Sequence, residues 1–189
     1  MNKLELRKIC LQKRRSLCLQ EWEAKSKQIC EHLKASDSLR SAKTVLSYCS
    51  FRQEPDLQEL LTIPKVWGLP RCVEKTLLWH VWTPGSLRSG NFGIQEPDPD
   101  SPTLEAEQVD LILVPCVMCD RRGYRLGYGG GFYDRMLSQP EWQGKATIGV
   151  LFDSAVMDEL PIDPWDRPLD AICTESGLIH LRPVGRTVV

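Results

Sequence analysis

Residues 111–135 read LILVPCVMCDRRGYRLGYGGGFYDR. The stretch opens on a run, Leu111 to Pro115, that is apolar almost without interruption and so fits a strand covered on both faces, as in a parallel sheet flanked by helices. Ten residues beyond Pro115, Arg125 begins a string with four glycines in five positions: Gly127, Gly129, Gly130 and Gly131, with Tyr128 between. Phe132, Tyr133, Asp134 and Arg135 follow at once, and a helix is expected from near Gly131 over Phe132–Ser138. A strand, a glycine loop and a helix in that order are the parts of a phosphate cradle. Glycine lets the backbone take positive φ and approach a ligand closely, and the free N–H groups at a helix start face an anion. Asp134, just inside that helix, is placed to hold magnesium against the same phosphates.

A glycine cluster ahead of a helix is commonly a tight turn and nothing more. Arginines at both ends, three aromatic residues in and beside the glycines, and an acid in register favour a phosphate and metal site here. The string is neither a Walker A motif, since the Lys-Ser/Thr pair is missing, nor a dinucleotide fingerprint. A triphosphate would therefore need cations from Arg125 and from another segment, with Lys3 and Arg7 as candidates. Magnesium would also want a second carboxylate, and the segment LPIDPWDRPLD offers Asp163, Asp166 and Asp170 after an expected helix, with no basis in composition for choosing among them.

Working outward, the apolar residues from Lys3 to Ala35 recur at helical spacing with a break around Ser16 to Leu19, which predicts two helices. Lys3 and Arg7 fall four apart on one face of the first; a solvated basic face is the plain alternative. Short runs suited to strands occur at 44–48, 65–69, 77–82, 111–115, 146–152 and 169–174, with helical candidates at 56–62 and 155–160 as well as 132–138. This alternation predicts one three-layer α/β/α domain over residues 1–189 with a mainly parallel sheet, whose ligands belong at the carboxyl ends of the strands. The Gly, Pro, Asp and Ser-rich segment between Pro84 and Pro102 reads as a long loop.

The 24 basic and 25 acidic residues give a net charge of −1, which argues against a broad nucleic-acid surface. No run approaches the roughly 20 apolar residues that span a bilayer, and charges occupy the start of the chain, so a cytosolic protein is expected. Eight cysteines stand mostly among apolar neighbours. Cys116 and Cys119 form a C-x-x-C, but no second pair has zinc spacing and the histidines are scattered, so the thiols are expected to be structural.

The string RLGYGGGFYDR, with the strand ending in Val114-Pro115 and with Asp120, resembles the signature of the 5-formyltetrahydrofolate cyclo-ligase (methenyltetrahydrofolate synthetase) family. Weaker matches follow in order along most of the chain: Lys3 and Arg7 as K-x-x-x-R, Glu54 and Asp56 after the first strand, Pro70-Arg71, Gly93 to Pro97, Leu160 to Asp166, and Thr174-Glu175. The resemblance implies the NagB/RpiA/CoA-transferase-like fold and an ATP-dependent closure of 5-formyltetrahydrofolate to 5,10-methenyltetrahydrofolate. It implies that Lys3, Arg7, Arg125, Leu126, Gly127, Tyr128, Gly129, Gly130, Gly131, Phe132 and Tyr133 hold ATP, with Arg125 and Lys3 catalytic, and that Asp134 and Asp166 hold Mg2+. Cys49, Glu54, Phe92 and Tyr128 would line the folate site. The substrates would be ATP and the folate, free or polyglutamylated, for a monomer with no nucleic-acid or membrane partner. Trp165 stands where many relatives place histidine, Phe132 replaces the commoner tyrosine, and Gly130 sits where some members carry lysine. The rival readings are a small-molecule kinase on a similar scaffold and a non-catalytic nucleotide- or folate-binding relative. The first would need a general base near its acceptor hydroxyl, and the second would have little use for a pair of magnesium carboxylates.

Overall fold

The computed structural model describes residues 1–90 and 93–181. Two helices lead the chain, α1 (Lys3–Arg15) and α2 (Leu19–Ala35), and both begin with reciprocal caps. Asn2 accepts from the amides of Leu4 and Glu5 while Glu5 returns to the Asn2 amide, and Cys18 and Glu21 repeat the pattern on α2. The second cap, at Cys18, ends the break foreseen between the helices. A short α3 (Asp37–Ser41) then turns the chain into the sheet.

Seven strands form that sheet: β1 (Thr44–Leu46), β2 (Val66–Val73), β3 (Thr76–Val81), β6 (Leu111–Pro115), β9 (Ala146–Val150), β11 (Ala171–Thr174) and β12 (Gly177–His180), in the order β12-β11-β9-β6-β1-β2-β3. The five central strands are parallel, and the edge strands β3 and β12 pair antiparallel with β2 and β11. All six expected strand runs lie in this sheet.

Alternation along β6 shows how the layers form. Ile112 and Val114 pack on one face with Leu6 and Cys10 of α1 and with Met136 and Leu137 of α4 (Phe132–Ser138). Leu111 and Leu113 pack on the other with Ile29, Cys30 and Leu33 of α2 and Leu39 of α3. With period-two side chains and both faces apolar, a strand must be covered twice, which gives helix, sheet, helix.

Two helical expectations change. Residues 155–160 are not a helix: a 3-10 turn at Asp153–Ala155 leads into β10 (Val156–Met157), which pairs with β7 (Met118–Asp120). The apolar pair Val156 and Leu160 imitates helical spacing, but Val156 and Met157 gain strand pairing instead. The run 56–62 holds only a 3-10 helix, Gln58–Thr62, between Pro55 and Pro64. The segment between Pro84 and Pro102 contains a hairpin of β4 (Leu87–Ser89) and β5 (Gln95–Pro97). β7 also pairs with β8 (Arg125–Leu126), a hairpin inserted between β6 and the glycines.

The eight cysteines are free thiols. Cys10, Cys30, Cys116, Cys119 and Cys173 are core residues, Cys18 is exposed as a helix cap, and Cys49 and Cys72 are half-buried.

Candidate active site

The sheet order reverses between β1 and β6. The chain runs outward from β1 to β2 and β3 on one side, then returns to β6 and proceeds to β9, β11 and β12 on the other. At such a point the loops leaving neighbouring strands diverge and open a crevice. A cavity of about 440 Å³ lies there, floored by Tyr48 and Cys49 after β1, Pro70 and Cys72 of β2, and Pro115 at the end of β6.

One wall is the glycine loop with residues from α1. Lys3, Arg7, Arg125, Leu126, Gly127, Tyr128, Gly129, Gly130, Gly131, Phe132, Tyr133 and Asp134 all line the cavity. Gly129 (φ 98°) and Gly131 (φ 68°) occupy the left-handed region, where a side chain is strained. Arginines hold the loop by its carbonyls: Arg7 Nε donates to Gly127 O at 2.7 Å and Arg135 Nη2 to Gly130 O at 2.9 Å. The amides of Tyr128 to Gly131 donate to no protein group among the described residues, and no side chain caps α4. With only seven residues in α4, the unfilled amides matter more than its dipole for receiving an anion.

The acids and cations of this wall pair with one another. Arg125, its side chain 4 % exposed, donates from Nη2 to Asp134 Oδ1 at 2.7 Å, and its guanidinium lies 5.3 Å from the Tyr133 ring centroid. Lys3 Nζ reaches Asp163 Oδ2 at 2.6 Å and Asp166 Oδ2 at 2.5 Å. Burial alone would lower the Lys3 pKa, but its hydrogen bonds to these two acids hold it raised. Of the three acids left open by the sequence, Asp163 and Asp166 line the cavity; Asp170 instead accepts from the amide and hydroxyl of Thr147.

No group of three or more His, Cys, Asp or Glu arranged for a metal occurs among the described residues. Asp134 and Asp166 nevertheless suit magnesium. Both line the same cavity, and each pairs with its cation through a single carboxylate oxygen, leaving the other for a ligand. One or two carboxylates completed by phosphate oxygens and water is how this ion is commonly held.

The opposite wall is less charged. Cys49, Phe51, Arg52 and Glu54 contribute from the loop after β1, and Ile94, Gln95 and Glu96 from the edge of the β4-β5 hairpin. Glu54 is 4 % exposed; its carboxylate accepts the Phe51 amide at 3.0 Å. Burial pushes its pKa up to about 7, with Arg14, the Phe51 amide and the Tyr128 hydroxyl opposing. Glu96, also buried, accepts the Cys72 amide at 3.1 Å and lies 3.7 Å from Arg71 Nε. Phe92, expected to line the folate site, lies outside the described residues.

Trp165 lines the cavity and is 62 % exposed. Asp56 and Glu175 serve structure instead: Asp56 accepts the Gln58 amide, and Glu175 ties Lys25 of α2 to the Asp153 amide. Sequence reasoning missed Tyr48, Phe51 and Arg52 on the cavity and Arg14 behind it. For Tyr48, Phe51 and Arg52 the one signal available was position, just after the carboxyl end of β1; Arg14 showed only as one more cation of α1.

The sequence profile of the 5-formyltetrahydrofolate cyclo-ligase family matches residues 1–175. A 5-formyltetrahydrofolate cyclo-ligase of Mycolicibacterium smegmatis is 33 % identical, the match covering 96 % of this chain and 98 % of the relative. That of Escherichia coli K12 is 32 % identical over 87 % of this chain and 96 % of its own. The solution structure of Aquifex aeolicus 5,10-methenyltetrahydrofolate synthetase superposes with a TM-score of 0.86 at 35 % identity, covering 100 % of this chain and 97 % of that one.

Proposed function

The chain belongs to the 5-formyltetrahydrofolate cyclo-ligase family and is an enzyme of that activity, and from this premise we propose that it closes the ring of 5-formyltetrahydrofolate at the expense of ATP, releasing 5,10-methenyltetrahydrofolate, ADP and phosphate. The observation that carries the proposal is a single cavity whose one wall is a glycine loop with open amides and flanking cations and whose other wall carries a buried acid. A phosphate donor and a flat, hydrogen-bonding acceptor can meet there.

A formamide carbon is a poor electrophile because its nitrogen lone pair is delocalised into the carbonyl. The formyl oxygen attacks the γ-phosphorus, the bond to ADP breaks, and the formyl carbon becomes an iminium phosphate. The neighbouring folate amine attacks that carbon and loses its proton. Phosphate departs with the former formyl oxygen, and the five-membered ring is closed.

The protein's part is orientation and charge stabilisation. Amides of the glycine loop and the side chains of Lys3, Arg7 and Arg125 face the phosphates, where they spread charge from the transferred group. Asp134 and Asp166 would hold Mg2+, which neutralises phosphate charge when bound. Glu54 accepts hydrogen bonds from the folate ring, and Cys49 and Tyr128 flank it. No protein nucleophile is required.

The direct test mixes purified protein with 5-formyltetrahydrofolate, ATP and magnesium and follows absorbance of the methenyl chromophore. Product should form with all three and not when ATP is left out. Product without nucleotide, or none with the full mixture, defeats the proposal.

A further inference from the structure

Arg14 is a buried cation. Its exposure is 6 %, and it makes no ion pair with a carboxylate among the described residues. Burying a guanidinium costs several kcal/mol unless its donors are satisfied, so where they point has consequences. Nε donates to the Arg52 carbonyl at 3.0 Å, and Nη2 donates to the Tyr128 hydroxyl. The guanidinium carbon lies 5.5 Å from the Tyr128 ring centroid. One side chain from α1 therefore grips both walls of the cavity without lining it.

The loop that it grips is strained. Arg52 (φ 50°) and Gln53 (φ 57°) are consecutive left-handed residues, neither of them glycine, and such backbone costs on the order of 1–3 kcal/mol each. It persists because neighbours pin it: Gln53 Nε2 donates to Leu17 O at 3.2 Å, Trp22 Nε1 to Glu54 O at 2.8 Å, and Ser50 Oγ to the same oxygen at 2.7 Å. Across the cavity mouth, Phe51 and Tyr128 stack edge to face at 6.1 Å. The strain aims Glu54 inward, and Arg14 fixes the strained turn to the glycine loop.

We propose that Arg14 is a positioning residue for the folate end of the site: by bonding the Arg52 carbonyl and the Tyr128 hydroxyl together it sets the separation of the two walls, and it keeps a positive charge beside the Glu54 carboxylate. The inference rests on the cyclo-ligase reading above. Four titratable or charged groups face Glu54: Arg14 from α1, Tyr48 after β1, Tyr128 from the glycine loop and Tyr133 from α4. Burial, and then the charge of Glu54, push Tyr48 and Tyr133 upward, so neither carries charge near neutrality. Arg14 is then the cation that favours the ionised carboxylate.

The experiment compares Arg14→Leu, Arg14→Lys and Tyr128→Phe with the unaltered protein in the methenyl assay, across pH. Arg14→Leu should raise the KM for 5-formyltetrahydrofolate about tenfold or more, the range for losing a charge-assisted hydrogen bond, while changing ATP affinity less than twofold. It should also move the acid limb of kcat/KM to higher pH. Arg14→Lys should return that limb toward its original position, since charge survives, but not the KM, since a lysine cannot make the forked contact. A purely structural arginine would lower the melting temperature and leave KM and limb where they were, which overturns the inference. If Arg14→Leu does not fold, unchanged folate KM in both other variants overturns it equally. Failure of the unaltered protein to form product would instead count against the cyclo-ligase reading itself.

Discussion

Arg125 and Asp134 are counter-ions to each other, 2.7 Å apart, on the wall where the sequence had given them separate tasks on phosphate and metal. The pair presets both groups. A nearly buried guanidinium with a partner keeps one orientation, and phosphate or metal entering the site competes for charges already in place.

Asp134→Asn removes one charge from that pair and leaves Arg125 without its counter-ion. Turnover should fall by about 10²-fold or more, the scale of a misplaced reacting group, while circular dichroism retains the native spectrum. The melting temperature should drop, since breaking a buried pair from one side is destabilising. Unchanged turnover at saturating ATP and magnesium would refute the assignment of this carboxylate.

Lys3 differs from Arg125 in having two acids to itself, Asp163 and Asp166. Lys3→Ala should therefore leave two carboxylates facing the phosphate end uncompensated. The expected outcome is an increase in the KM for ATP of about tenfold, with the folate KM moved much less. Steady-state titration of each substrate at saturating partner separates the two effects; an equal rise in both would place Lys3 away from the nucleotide.

Much of this arrangement was legible beforehand, and the residues that were not share a cause. The run Leu111–Pro115 declared itself because both its faces are buried in apolar layers, and Phe132–Ser138 because glycine ends one conformation and an amphipathic turn begins another. β7, β8 and β10 are two or three residues long, too short for any period to register, and their pairing is set by the tertiary fold. The same reason turned the helix expected at 155–160 into a bridge to β7. In the site, glycines and acids advertise chemistry by type. Arg14 and Phe51 do not, because their roles come from a left-handed turn at Arg52 and Gln53 that nothing in those side chains announces.

Gly131 offers a test confined to backbone geometry. Its φ of 68° is one that an alanine adopts at a cost of about 1 kcal/mol, and an added Cβ would meet Arg135 Nη1 at 2.7 Å, the movable end of a long side chain. Gly131→Ala should thus fold with a slightly lower melting temperature. Nucleotide binding should weaken severalfold with the folate KM preserved, measured by titration of a fluorescent ATP analogue. Equal binding by the variant would mean that the loop amides do not meet the phosphates.

Glu54 supplies the pH dependence. Burial holds its pKa at about 7, above the ordinary 4.5. The folded protein therefore keeps a proton that the unfolded chain releases between those values, and stability owed to the neutral acid is complete below about pH 4.5 and lost as pH rises through about 7. The loss is on the order of 3 kcal/mol. Activity runs the opposite way if the ionised carboxylate accepts from the folate: kcat/KM should climb with pH to a midpoint near 7. Glu54→Gln stays neutral throughout, so it should flatten both curves, become the more stable protein above pH 7, and lose about 10- to 100-fold in kcat/KM for the folate. Chemical denaturation at pH 5 and pH 8, paired with pH–rate profiles, reads both effects. A variant that kept the acid limb of the parent would show that another group titrates there, and Glu54 would lose its role as the folate's acceptor.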